Sequence, residues 1–455
     1  MGDSSFVKDL AERFALRLYE ALCTVLIPLI WLRAYFRSQT EPLYATNISE
    51  RFGFYSETTP PPNTDSVLWI HSVSLGETRS AEILLGQLRT VFPLARILLT
   101  HGTSTGRQAG AALLKDGDVQ VWQPWDTRAV VSRFLRRFQP SLCILIETEV
   151  WPLWIQTLKA AQIPTILVNA RLSPRSFRLA RRLKHLSEPT YRGLSLVLAQ
   201  TEDDAERFRA LGTPKIVTTG NLKFDLPPNQ AQQERGRDWR SRQVKPIVML
   251  ASTRDGEEIA WMDLLVRMKP TATSVQWLVV PRQPRRFLLV SQLLRDRGWA
   301  VSHRSQWNDE GPPDTTAANG TIWLGDTTGE MQTYYSMASI AWLGGSFVAH
   351  GGQNLIEAAM CGCPVIMGPH TFNFTQAAAF AQQTQAAMAV PSMEVAWKET
   401  QRLLLAPEAY AAMVKGTERL VSLGRGATQR TVSALLEEAL PHRQNEDALA
   451  KRPLG

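Results

Sequence analysis

The sequence predicts an α/β protein made of two Rossmann-like halves. Three observations carry this. Short apolar runs recur along the chain and alternate with helix-forming segments, the pattern of a parallel sheet. Polar and glycine-containing loops fall at the C-terminal ends of those runs, where open α/β sheets place their ligands. A polar, proline-initiated stretch, Leu226–Lys245, divides the 455 residues near the middle. That length suits two or three domains.

Residues 1–58 read as an N-terminal membrane-anchor helix and lead-in. Leu16–Leu32 is strongly apolar, but its uninterrupted core, Ala21–Leu32, is short against the ~20 residues of a bilayer span. Arg17 and Glu20 precede the core, Arg33 and Arg37 follow it, and Pro28 is placed to kink it. The segment suits a marginal signal-anchor span, or a helix lying in the membrane interface with Trp31 and Tyr35 at headgroup level. A buried helix is the third reading. Thr59–Thr64, TPPPNT, reads as a stiff linker.

Residues 59–225 form the first half, with strands at Val67–His71, Ala95–Thr100, Leu142–Ile146, Thr165–Val168, Leu196–Ala199 and Ile216–Thr219. In the first loop, Ser74 and Glu77 have the spacing of a capping box. A carboxylate at that strand end is equally placed for a general base. A helix N-terminus lowers its pKa and burial raises it, so both roles stay open. Glu147-Thr-Glu149 sets two carboxylates at the next strand end, pointing the same way if the stretch is extended. Without nearby His or Asp they suit substrate hydroxyls or an arginine better than a metal. Arg171–Lys184 is basic and lacks acids, which suits a solvated helix face or, beside a membrane, lipid phosphates.

Beyond the linker at 226–245, residues 246–440 repeat the pattern. Strands are read at Ile247–Leu250, Gln276–Val280, Val301–Ser305 and Ile322–Leu324, and helices near Glu394–Leu404, Pro407–Leu423 and Thr428–Leu440. Between them, Ile340–His370 reads as strand, glycine-rich loop, helix and strand. Gly344, Gly345, Gly351 and Gly352 allow a close backbone approach to a ligand, and Asn354 holds the N-cap position before Leu355–Met360. Residues 441–455 read as a disordered tail.

The formal charge of +8 fits an anionic partner. Neither half carries G-x-G-x-x-G after its first strand, so a nicotinamide enzyme is poorly supported, and no P-loop, HExxH or GxSxG occurs. The four cysteines, with Cys361 and Cys363 spaced CxC, read as reduced thiols without zinc.

Several motifs stand in a fixed order: Glu50-Arg-Phe-Gly-Phe-Tyr55, His71-Ser-Val-Ser-Leu-Gly-Glu77, Glu147-Thr-Glu-Val-Trp-Pro152, Asn169-Ala-Arg-Leu-Ser173, Gly220-Asn-Leu-Lys-Phe-Asp225, Ala251-Ser-Thr253, Gly256-Glu-Glu258 and Met367-Gly-Pro-His-Thr-Phe-Asn-Phe374. As a set, over about Leu18 to Leu440, the chain resembles the 3-deoxy-D-manno-octulosonic acid (Kdo) transferases of lipopolysaccharide synthesis in Gram-negative cells. The resemblance implies the GT-B fold, two Rossmann-like domains facing a cleft. It implies transfer of Kdo from CMP-Kdo to lipid IVA, a lipid A precursor, at the cytoplasmic face of the inner membrane. CMP-Kdo is then a substrate; no cofactor, metal or nucleic acid is expected. Carried over by motif, Glu77 matches the catalytic base, and Glu147 and Lys223 match transition-state stabilisers. Pro281 and Arg282, Thr328, Gly329 and Glu330, and Asn354, Leu355, Ile356 and Glu357 match donor contacts. Gln353, Gln283 and Arg254 replace histidines of the family pattern, and Arg285 replaces an acid. The competing readings are a membrane-surface GT-B enzyme using a UDP-sugar and a lipid acceptor, and a non-catalytic binder of anionic lipid.

Overall fold

The computed structural model describes residues 2–56, 66–268, 274–312 and 320–450; the TPPPNT stretch and residues 451–455 lie outside them. The chain divides into two units, one of residues 1–225 with 426–455, the other of 226–425.

In the first unit the strands are β1 Val67–His71, β2 Arg96–His101, β3 Val119–Trp122, β4 Leu142–Ile146, β5 Thr165–Ala170, β6 Leu196–Ala199 and β7 Ile216–Thr218. Its helices are α1 Gly2–Val25, α2 Ile27–Ser38, α3 Leu75–Val91, α4 Ser104–Ala111, α5 Arg128–Phe138, α6 Pro152–Ala160, α7 Pro174–Arg182, α8 Lys184–Tyr191 and α9 Glu202–Ala210. The sheet is parallel, in the order β3-β2-β1-β4-β5-β6-β7. Strands β1, β4 and β6 are buried along their whole length, which is why they read as unbroken apolar runs. Leucine-rich helix faces cover one side, and an aromatic layer with Trp69, Phe134 and Trp154 covers the other. The order reverses between β1 and β4, so the loops after these strands flank the switch point.

The second unit opens with α10 Gln230–Ser241, and its strands are β8 Ile247–Thr253, β9 Gln276–Pro281, β10 Ala300–His303, β11 Thr321–Leu324, β12 Ile340–Leu343, β13 Val365–Met367 and β14 Ala387–Ala389. Its remaining helices are α11 Glu257–Arg267, α12 Phe287–Asp296, α13 Met331–Met337, α14 Ile356–Met360, α15 Thr375–Gln383, α16 Met393–Leu405 and α17 Pro407–Gly424. The sheet, again parallel, runs β10-β11-β9-β8-β12-β13-β14, with its switch point between β8 and β12. Trp277 anchors the core, packed edge-on against Trp261 and Trp342 and tilted against Trp397, each at 5.4 Å.

Four boundaries differ from the sequence reading. First, residues 226–245, read as a linker with room for a helical turn, do begin the second unit but hold a twelve-residue helix. Helix α10 packs on α13 so closely that a Cβ at Gly236 would lie 2.3 Å from the Thr333 carbonyl oxygen, and Trp239 is buried. Second, the chain returns to the first unit at Gly426. Asp225 accepts from the backbone N–H of Gly426 (2.7 Å) and Thr428 (2.6 Å), and Ala427, Val432 and Leu435 of α18 (Ala427–Ala450) join the first core. Third, α18 continues to Ala450 through residues assigned to the tail; 442–450 contain neither glycine nor proline.

Fourth, the N-terminal segment is two helices, bent by 45° at Leu26, with Pro28 in the first turn of α2, where its missing N–H costs nothing. Among the described residues no single helix is long and apolar enough to cross a membrane, though the bent pair passes by length and composition. Rather than forming a separate module, α1 is tied to the first unit. Lys8 pairs with Glu188 (2.9 Å) and Glu12 with Arg192 (2.6 Å). Its opposite face leaves Leu10, Phe14, Leu18, Leu22 and Val25 exposed, continued on α2 by Leu29, Leu32 and Phe36.

Candidate active site

Glu77 sits at the third position of α3. Its Oε2 accepts the Ser74 backbone N–H at 2.8 Å, while Ser74 Oγ receives the Glu77 N–H, completing the capping box. The residue is nonetheless buried, 8% exposed. Burial, then repulsion from Glu149 and more weakly Glu147, pushes its pKa up from 4.5 to about 8, against the lowering effect of the Ser74 N–H. Capping and basicity therefore coexist in one side chain.

Glu147 opens the loop after β4. Lys223 Nζ donates to its Oε1 at 2.8 Å, and Ser80, in α3 beyond Glu77, donates to the same atom at 3.4 Å. Lys223 lies in a 3-10 turn, Leu222–Asp225, and that turn is fixed by buried Asn169, whose Oδ1 accepts the Leu222 N–H. Glu147 (φ 64°) and Asn169 (φ 54°) both adopt left-handed backbone, a strained choice for these residues that clusters at functional sites. That conformation breaks the extended stretch on which a shared direction for Glu147 and Glu149 rests. Glu149 accepts from the Trp151 indole at 3.1 Å, and its carboxyl is held above the usual range, chiefly by burial. Glu77, Glu147 and Lys223 thus gather at the first switch point, with Ser80 and Asn169 as members whose part the sequence reading did not assign; Glu149, read there as a carboxylate for substrate hydroxyls or an arginine, accepts from Trp151.

The second switch point is built from backbone. Ser252 has φ 60°, and a Cβ at Gly344 would lie 2.4 Å from the Ser252 carbonyl oxygen, so only glycine allows the β8 and β12 loops to touch there. Buried Glu257 binds both loops: it accepts from the N–H groups of Arg254 (2.9 Å), Gly345 (2.7 Å) and Phe347 (3.1 Å). Its signal in the sequence was its place in Gly256-Glu-Glu258. Glu258 accepts from Thr253 and Arg286. Pro281 ends β9, and the next residue, Arg282, donates through Nε to Gln353 Oε1 at 3.1 Å. Asn354 is not an N-cap in the strict sense: α14 begins at Ile356, whose N–H Asn354 Oδ1 accepts. Leu355 and Ile356 are buried, with the Ile356 N–H and the Leu355 carbonyl already hydrogen-bonded, whereas Glu357 is half-buried. After β11, Thr328 and Gly329 are exposed, but Glu330 is engaged by Arg304 (2.8 Å) and Arg235 (3.2 Å).

Two Rossmann-like units, each with a parallel seven-stranded sheet and its own switch point, make up the GT-B fold. The same architecture appears in a glycosyltransferase from Rickettsia africae (TM-score 0.55, 12% identity, 83% of this chain and 99% of that one), a likeness of fold alone. Residues 46–226 match the family described as 3-Deoxy-D-manno-octulosonic-acid transferase (kdotransferase). The 3-deoxy-D-manno-octulosonic acid transferase of Bordetella pertussis is 38% identical, covering 90% of this chain and 96% of its own. That of Haemophilus influenzae is 32% identical, covering 92% and 97%. The chain belongs to the Kdo transferase family.

Proposed function

We propose that this chain transfers Kdo from CMP-Kdo to a sugar hydroxyl of lipid IVA by an inverting displacement. The observation that carries the proposal is Glu77, a buried carboxyl pushed to about 8 at the switch point of the first sheet. In this scheme the acceptor oxygen bonds to the Kdo anomeric carbon while the carbon–oxygen bond to the CMP phosphate breaks. Glu77 takes the acceptor proton, and CMP leaves with the bonding electron pair through an oxocarbenium-like transition state. Lys223, held by Glu147, and Arg282 at the end of β9 supply positive charge where negative charge develops. Helix α14 has five residues, so its dipole adds little, and the phosphate falls to Arg282. The polar side chains of Asn354 and Glu357 suit the nucleoside hydroxyls. No metal ion takes part in the scheme. Purified protein with CMP-Kdo and lipid IVA is expected to yield a product heavier by whole Kdo units in mass spectra, undiminished by EDTA. Turnover of a UDP-sugar but not CMP-Kdo would overturn the assignment.

We also propose that the enzyme works on the cytoplasmic face of the inner membrane, with α1 and α2 lying in the interface. The exposed apolar stripe from Leu10 to Phe36 supports this, as do the ion pairs that commit the other face of α1 to the protein. Helix α7, with Arg175, Arg178, Arg181 and Arg182 and no buried residue, offers charge for lipid phosphates. Release by alkaline carbonate is expected; retention in the membrane pellet would mean a span.

A further inference from the structure

Helix α6 lacks a cap of its own. Trp151 occupies the N-cap position with an indole that only donates, and Pro152 follows. The orphan N–H groups of Leu153 and Trp154 turn instead to Asp126, in the loop between β3 and α5, at 3.3 and 2.9 Å. Asp126 is 1% exposed, and its Oδ2 also accepts the hydroxyl of Tyr19, on α1, at 2.9 Å. Contacts on either side hold the same junction. The Trp125 indole donates to the Cys23 carbonyl at 2.9 Å, and Glu20 pairs with Arg128 at 3.1 Å.

On its other side the first turn of α6 leads directly into the acidic corner. Glu147 to Trp151 is all the chain between β4 and α6. Trp151 packs on Trp154, with ring centroids 6.2 Å apart, and donates to Glu149, the carboxylate that most strongly raises Glu77 by charge. A continuous path of contacts therefore runs from Tyr19 through Asp126 and the α6 N-terminus to Trp151 and Glu149.

We infer that Asp126 is a positioning residue, the joint through which the seating of α1 fixes the first turn of α6 and, with it, the Glu147–Trp151 corner. This rests on the reading of that corner as part of the active site. The carboxylate replaces a cap that local sequence would normally supply, and it does so while bound to the helix that carries the exposed apolar stripe. Loss of the Tyr19 hydroxyl therefore loosens the corner without removing any group from it.

The test uses the full chain with Tyr19→Phe and Asp126→Asn, read by amide hydrogen exchange over residues 147–156, kcat and donor KM at matched folded fraction. Tyr19→Phe leaves the α6 cap in place; it is expected to speed exchange in that segment and lower kcat by ~3–10-fold with donor KM within about twofold. Asp126→Asn is expected to do both more strongly, with a kcat loss of ~30-fold or more. Wild-type exchange and turnover in Tyr19→Phe would overturn the link to α1 whatever Asp126→Asn does, which covers the case that the latter folds poorly. Hydrogen exchange needs no substrate. A wild-type protein inactive with CMP-Kdo would refute the proposed function while leaving the joint decided by exchange alone.

Discussion

At the first switch point the loops after β1 and β4 bring together Glu77, Glu147 and Glu149, with Lys223 paired to Glu147. At the second, the loops after β8 and β12 bring glycines and Arg254, the loop after β9 brings Arg282, and the buried acid there, Glu257, accepts three backbone N–H groups. The topological position is the same and the chemistry is opposite. Beyond burial, neighbouring carboxylates raise Glu77 and Glu149 in the first site, and two of its non-glycine residues hold left-handed backbone. The second satisfies its buried acid with N–H groups and leaves positive charge facing outward. A proton acceptor needs a carboxylate made uncomfortable in its charged form, whereas a leaving-group site needs neutralising donors already in place. Burial raises both Glu77 and Glu257, but at Glu257 three N–H groups oppose the rise, whereas at Glu77 neighbouring carboxylates add to it; that difference is why the proposed function gives the proton chemistry to the first unit.

The largest expected effect breaks the first site at its centre. Glu77→Gln keeps the shape and an oxygen for the Ser74 N–H but cannot take a proton. A kcat loss of at least ~10²-fold is expected, with the fold intact. In the wild type the base must be ionised, so kcat/KM should rise with pH and level off above about 8. Turnover within a few-fold of wild type would leave Glu77 as a helix cap only.

Next come the two cations. Lys223→Ala removes the partner of Glu147 and adds its uncompensated charge to the acidic cluster. It is expected to lower kcat by ~10–100-fold with a smaller change in donor KM, the mark of a group acting in the transition state. Arg282→Ala is expected to show the reverse, donor KM up by ~10-fold with kcat changed less. If steady-state kinetics gave both variants the same split, the contrast between the two sites would fail.

Most of the fold was legible in the sequence because fully buried parallel strands announce themselves. Val67–His71, Leu142–Ile146 and Leu196–Ala199 are found where the apolar runs place them. The edge strands β3 and β14 escaped notice, being only four and three residues long. The crossing back at Gly426 was illegible for a different reason. Asp225 caps groups 201 and 203 residues away, and nothing local marks such a partner. The site divides the same way. The capping box of Ser74 and Glu77 is a four-residue pattern, but the raised basicity of Glu77 depends on its burial in the fold and on acids some 70 residues further on. The left-handed Glu147, the part of Asn169 and the loop-binding carboxylate of Glu257 all depend on tertiary contacts. Asn354 shows the middle case: its side chain does bond a helix N–H, but burial of Leu355 and Ile356 shifts the helix start to Ile356.

The smallest expected effect concerns stability, and it sets the two glutamates directly against each other. Glu77 titrates near 4.5 in an unfolded chain and near 8 in the folded one. Between these values the folded protein holds a proton that the unfolded chain has released, so stability falls as pH rises through this window. Glu77→Gln is spared that loss. It is expected to melt close to the wild type at pH 5 but several degrees above it at pH 8.5. The same exchange at Glu257 should act in the opposite direction. There the carboxylate accepts N–H groups through both oxygens, so an amide nitrogen in either position meets a donor with a donor. Glu257→Gln is expected to be destabilising by ~1–3 kcal/mol at pH 8.5. Melting curves of the two variants that moved the same way at pH 8.5 would mean that both acids are simply structural, and the division of labour between the sites would lose its physical basis.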